Sequence, residues 1–148
     1  MKIGIAGDHA GFELKQWVQQ LLFKGGYEVV DFGATEYNAA DDYPDFVIPL
    51  AKAVAGGEID RGIAVCGSGV GASIVANKIK GVRAALINDT FSAHQGVEDD
   101  NMNVLCLGGR LIGTMVAKEI VESFINANFT NVERHVRRLD KVRQLENK

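Results

Sequence analysis

The sequence predicts an α/β fold built on a parallel sheet with helices on both faces. Short apolar runs alternate along the whole chain with segments of helical period, the pattern of strands joined by crossover helices. The runs are continuous rather than alternating in polarity, as strands covered on both faces are. The third run opens directly into Cys66-Gly67-Ser68-Gly69-Val70-Gly71. Such sheets bind ligands beyond the carboxyl ends of their strands.

Lys2 to Ala6 reads as a buried strand and Gly7-Asp8-His9-Ala10-Gly11 as its exit loop. Leu14, Val18, Leu21 and Leu22 fall on one helical face, which Gly25-Gly26 ends. Tyr27 to Phe32 is a second strand, followed by a polar loop to Asp42. Pro44 suits the first turn of a helix carrying Val47, Leu50, Ala51 and Val54. Pro49 predicts a kink there or a later start. Ile63 to Val65 is the third strand, and Val70 to Lys78 the helix after the glycine loop. Val82 to Ile87 is a fourth strand, Thr90 to Asp100 a polar helix, and Asn103 to Leu107 a fifth strand. Gly108-Gly109-Arg110 leaves that strand, and Val116, Ile120, Val121 and Phe124 stripe the next helix. Val132, Val136, Leu139 and Val142 form a narrow seam through the tail. So thin a stripe fits a helix lying across a neighbouring subunit or one loosely attached at the terminus.

The 148 residues suffice for one domain with a real core, with no internal repeat or linker. A net charge of -3 carries no nucleic-acid signal. Residues 130–148 hold six Lys and Arg against three Asp and Glu, so a basic tail follows an acidic body. No apolar stretch is long enough for a membrane span. Met1-Lys2 runs straight into a strand without a signal-peptide pattern. Cys66 and Cys106 lack metal or framework spacing. A cytoplasmic location is expected.

The loops at the carboxyl edge collect Asp8-His9, Cys66-Gly67-Ser68, Asn88-Asp89 and Arg110. A cysteine at a helix N-terminus is placed to act as a thiolate base or nucleophile. Buried cysteines are more often inert, and Cys106, inside an apolar strand, is read so. Asp8-His9 fits either a helix cap beside a polar neighbour or an acid/base pair. His94 is expected to be solvated. Arg134 and Arg138 share a helix face beside His135, as a solvated surface or as a clamp for a dianion. Gly67-Ser68-Gly69-Val70-Gly71-Ala72 also satisfies G-x-G-x-x-G/A, with Asp89 at the distance of a ribose-binding acid. A non-catalytic nucleotide-binding module is therefore an alternative. Against it, the loop follows the third strand and opens on a thiol.

Several stretches together resemble one family. They are Ile3-Gly4-Ile5-Ala6-Gly7-Asp8-His9-Ala10-Gly11 with Leu14-Lys15, Asp42-Tyr43-Pro44-Asp45, and Cys66 to Gly71 with Ala76-Asn77-Lys78. Gly81-Val82-Arg83-Ala84, Asn103-Val104-Leu105 with Gly108 and Arg110, and Arg134-His135 with Arg138 complete the set. In order and spacing the chain resembles the ribose-5-phosphate isomerase B family, which includes the galactose-6-phosphate isomerase subunits. The resemblance implies a Rossmann-like α/β/α sandwich of five parallel strands with an extra C-terminal helix. It implies an aldose–ketose isomerase of sugar phosphates, with ribose 5-phosphate the default substrate and no metal or organic cofactor. It also implies homodimers or tetramers with shared active sites, residues 130–148 packing on a partner subunit.

By the same resemblance Cys66 is the base that moves a proton between C1 and C2. Gly67, Gly69, Val70 and Gly71 stabilise the enediolate through backbone N–H groups, and Ser68 shuttles the proton between oxygens. Asp8, His9 and Tyr43 line the sugar. Arg134 and Arg138, with Arg110 and His9, hold the phosphate, partly from the partner subunit. Ala72 stands where some members carry a glutamate base.

One departure concerns substrate choice. Asp99 and Asp100 occupy the positions of the family's ring-opening histidine and the asparagine after it. Asp99 can still accept a proton, but paired carboxylates alter the local charge. A tetrose 4-phosphate cannot close a furanose through its blocked O4 and needs no ring-opening group. A tetrose-phosphate isomerase is thus the alternative within the family. A subunit that lost activity through Asp99-Asp100 and serves in interaction is a further one.

Overall fold

The computed structural model describes residues 1–148. Five strands and six helices alternate: β1 (Lys2–Gly7), α1 (Phe12–Lys24), β2 (Glu28–Asp31), α2 (Tyr43–Ala55), β3 (Arg61–Cys66), α3 (Val70–Ala76), β4 (Ala84–Leu86), α4 (Thr90–Asp100), β5 (Val104–Gly108), α5 (Thr114–Asn126) and α6 (Glu133–Glu146). All strand pairs are parallel, in the order β2-β1-β3-β5-β4. The chain steps from β1 outward to β2, then returns to the other side of β1 as β3. The carboxyl ends of β1 and β3 therefore flank the topological switch point, where sheets of this kind bind ligands.

Side-chain alternation along the central strands divides the core in two. Ile3, Ile5, Ile63, Val65, Leu105 and Leu107 meet α1, α4 and α5 on one face. Ala6, Ala64, Cys66, Val104 and Cys106 meet α2 and α3 on the other. Small residues on the second face let those two helices lie close to the sheet.

Three local expectations change. Helix α2 begins at Tyr43 and runs through Pro49. Pro49 and Asp45, whose carbonyl Pro49 leaves without its helical donor, are both exposed, so water satisfies that oxygen. In α5 the stripe is Ala117, Ile120, Val121, Phe124 and Ile125, with Val116 outside it. In α6 the buried residues are His135 and Leu139, while Val132 and Val142 are exposed. No helix is long and apolar enough to cross a membrane.

Candidate active site

Cys66 ends β3 with its side chain 5 % exposed, and its sulfur accepts the Gly69 N–H at 3.2 Å. Gly69 has φ 83, which reverses the chain so that this N–H points back at the thiol. The Val70 N–H donates to the Ser68 hydroxyl at 3.3 Å. The N–H groups of Gly67 and Ser68 have no partner in the chain. Sulfur, hydroxyl and two open donors thus share one turn. The wider expectation of four loop residues offering N–H groups narrows, because those of Gly69 and Val70 already have acceptors, while that of Gly71 stays open as expected.

Around this turn the other carboxyl-edge loops close in. The Asp8 N–H donates to the Val65 carbonyl, and Asp8 Oδ1 accepts the Ala10 and Gly11 N–H groups at 3.0 and 3.1 Å. Asp8 thus ties the turn before α1, and its second oxygen makes no hydrogen bond within the chain. His9 pairs through Nδ1 with Asp41 Oδ1 at 2.7 Å. The Tyr43 ring covers Gly71 so closely that a Cβ there would lie 2.7 Å from the ring, which is why the position is glycine. Arg110 is exposed, its N–H donates to the Gly67 carbonyl, and its guanidinium reaches over Gly67. Asp8, His9, Tyr43, Arg110 and the loop from Cys66 to Gly71 therefore converge.

Asp99, Asp100, Arg134 and Arg138 do not join them. Helix α4 returns from the carboxyl edge to the start of β5, so Asp99 and Asp100 lie at the amino edge. A six-residue strand such as β3 separates the two edges by roughly 20 Å. Helix α6 lies across that same edge: its early residue His135 approaches Asp99, and its late residue Glu146 accepts the Gly81 N–H before β4. Arg134 and Arg138 are exposed on it. Asp99 accepts from Gln95 Nε2 at 2.7 Å and lies 3.5 Å from Nε2 of the buried His135. The pattern of basic neighbours did not reveal that His135 is a core residue.

Three other groups find structural explanations. Asp89 caps α4 by accepting the Ser92 N–H at 2.7 Å, which holds its carboxyl below the usual range. That accounts for the residue on which the nucleotide alternative leaned. Burial pushes the Cys106 thiol well up, with the nearby Cys66 adding to it, as suits a core cysteine. Asp8, His9 and Asp41 bring potential metal-ligating atoms within 4.8 Å of one another. The His9 Nδ1 and Asp8 Oδ1 atoms are already hydrogen-bonded there. A cavity of about 640 Å³ lies elsewhere, between α4, β4 and α6, with Met102, Val142 and Leu145 in its wall.

Residues 3–142 match the family model described as Ribose/Galactose Isomerase. The chain belongs to that family. The ribose-5-phosphate isomerase B of Clostridium thermocellum superposes with a TM-score of 0.95 at 45 % identity, over 99 % of this chain and 98 % of that one. That of Mycoplasma genitalium, solved with bound ribulose-5-phosphate, gives 0.94 at 41 %, over 99 % and 97 %. A third family relative, the D-erythrulose-4-phosphate isomerase of Pectobacterium atrosepticum, is 39 % identical over 129 residues, 87 % of this chain and 85 % of its own length. The five-strand architecture is the family's.

Proposed function

We propose that the chain isomerises a phosphorylated aldose and its ketose by proton transfer through an enediolate, with Cys66 as base. The observation that carries this is the turn at the end of β3, with Cys66 Sγ beside open N–H groups at Gly67 and Ser68. The Cys66 thiolate takes the proton from C2 of the open-chain aldose. The electron pair moves into a C1–C2 double bond, and negative charge develops on O1. The Gly67 and Ser68 N–H groups stabilise that oxygen, a contribution of roughly 3–4 kcal/mol where such donors are preorganised. The Ser68 hydroxyl carries a proton between O2 and O1, and Cys66 returns its proton to C1. No electron leaves the sugar, so the reaction needs no redox cofactor.

Arg110 and His9 hold the phosphate from this chain, and Arg134 and Arg138 from a second copy. A second copy is required because those two arginines, with Asp99 and Asp100, lie at the opposite sheet edge from Cys66. Ribose 5-phosphate is the first reading of the substrate, supported by the ribulose-5-phosphate bound in the Mycoplasma relative. A tetrose 4-phosphate is the second reading. It is favoured by a carboxylate at Asp99, already engaged by Gln95 and His135, and by the erythrulose-phosphate relative.

The test is a turnover screen of four-, five- and six-carbon aldose phosphates with wild type, Cys66→Ala and Asp99→His. Cys66→Ala is expected to lower kcat by about 10²–10⁴-fold, the range for loss of a general base, with the fold intact by circular dichroism. Full activity in that variant rejects the mechanism. Poor wild-type turnover of ribose 5-phosphate, improved by Asp99→His, selects the tetrose.

A further inference from the structure

We propose that Asp41 is a positioning residue of this site: it accepts His9 Nδ1–H and so orients and supports the imidazolium whose Nε2–H donates to the substrate's phosphate. The phosphate part rests on the function proposed above. Asp41 Oδ1 lies 2.7 Å from His9 Nδ1 and accepts the backbone N–H of His9 at 2.9 Å. An ionised carboxylate only accepts, so the ring nitrogen facing it carries the hydrogen. The Asp41 side chain is 8 % exposed, and its Oδ2 is buried without a partner. A buried carboxylate in this state needs a charge-assisted donor. His9 supplies the one ion-pairing contact made to it. The buried Lys15 pairs with Asp31 instead. Asp8, the third group of the cluster, accepts the Ala10 and Gly11 N–H groups.

The loop carrying Asp41 is fixed at both ends. Lys15 Nζ donates to the Ala34 carbonyl at 2.6 Å, and Gly7 exchanges backbone hydrogen bonds with Gly33 and Ala34. At the other end Tyr43 rests on Gly71. Asp41 therefore connects the β2–α2 loop to the β1–α1 loop across the site, and His9 is the side chain it orients. The edge of Tyr37 against the His9 ring supports the same orientation.

Asp41→Asn in the full chain tests this. An amide carries no charge to support the imidazolium and can face Nδ1 with either its oxygen or its NH₂ group, so neither the ring's second proton nor its orientation is dictated. KM for the sugar phosphate and the inhibition constant of inorganic phosphate are expected to rise about tenfold, as for loss of a charge-assisted hydrogen bond, with kcat changing less. His9→Gln should cause a similar loss, and the double variant no more than His9→Gln alone. Nitrogen NMR of the His9 ring reads its protons without turnover. The expected result, with inorganic phosphate bound, is hydrogen on both ring nitrogens in wild type and a smaller doubly protonated share in Asp41→Asn. A wild-type ring protonated on Nε2 alone overturns the proposal. So does an Asp41→Asn loss that is equally large in the His9→Gln background. If no sugar phosphate is turned over, the proposed function fails, and the ring's protonation still decides the role of Asp41.

Discussion

One bond decides how the Cys66 loop divides its donors. Because Gly69 N–H turns onto the sulfur, a negative charge on Cys66 has a dedicated donor, and the open N–H groups fall to Gly67, Ser68 and Gly71. Asp89 shows how misleading a neighbouring motif residue can be. Its spacing from the glycine loop fits a ribose-binding acid, yet its carboxylate caps α4. Its folded carboxyl is held low, first by the Ser92 backbone N–H and then by the Ser92 side chain. A depressed carboxyl stabilises the fold above its unfolded value and loses that contribution as pH falls through the folded value. Asp89→Ala should therefore lower the urea midpoint at pH 7, and the gap from wild type should shrink at pH 3. A gap that is unchanged or wider at pH 3 contradicts the ionised cap.

At the scale of elements, α5 has no side-chain cap and ends in an extended residue, Ala127. Its last carbonyls are met from β3. Arg61 donates to the carbonyls of Phe124, Ile125 and Ala127, and its guanidinium lies 5.3 Å from the Phe124 ring centre. One side chain thus fastens the helix end to the sheet. Arg61→Ala should cost about 1.5–3 kcal/mol, the range for hydrogen bonds to charged groups. Arg61→Lys should recover only part, since an ammonium lacks the planar fork. Urea denaturation of both variants checks this. Arg61 is invisible to a pattern reading because its acceptors lie more than 60 residues away. The strands and most helices were legible because their signal is local: continuous apolar runs, and stripes such as Leu14, Val18 and Leu22. Helix α6 was legible as a helix but not in its packing. Periodicity ranks apolar residues and so finds Leu139, while the more deeply buried residue there is His135, 2 % exposed and bound to the Asp99 carbonyl. Asp41 escaped notice for the same reason, since its partner stands 32 positions earlier.

For the whole molecule, the resemblance implies sites shared between subunits, and the fold divides the predicted site residues between the two ends of the sheet. Cys66, Asp8, His9, Tyr43 and Arg110 stand at the carboxyl edge, and Asp99, Asp100, Arg134 and Arg138 at the amino edge. The carboxyl edge also exposes Val70, Phe91, Leu111 and Met115, four large apolar side chains at the starts of α3, α4 and α5 and in the loop after β5. Exposed apolar surface beside the proposed site fits a covering chain. The second copy proposed above would meet that need as a two-fold dimer, each copy supplying the edge that the other lacks. The arrangement predicts complementation. Cys66→Ala and Arg134→Ala should each be inactive or nearly so. When the two are unfolded together, refolded at equal concentration and mixed at random, half of the dimers pair one chain of each kind. In such a dimer one site combines an intact Cys66 with an intact Arg134, and the other site lacks both. About a quarter of wild-type activity should return, following from two-fold symmetry alone. Sites confined to single chains would return no activity beyond the sum of the two variants, and that outcome would refute the shared site while leaving the role of Cys66 to its own test.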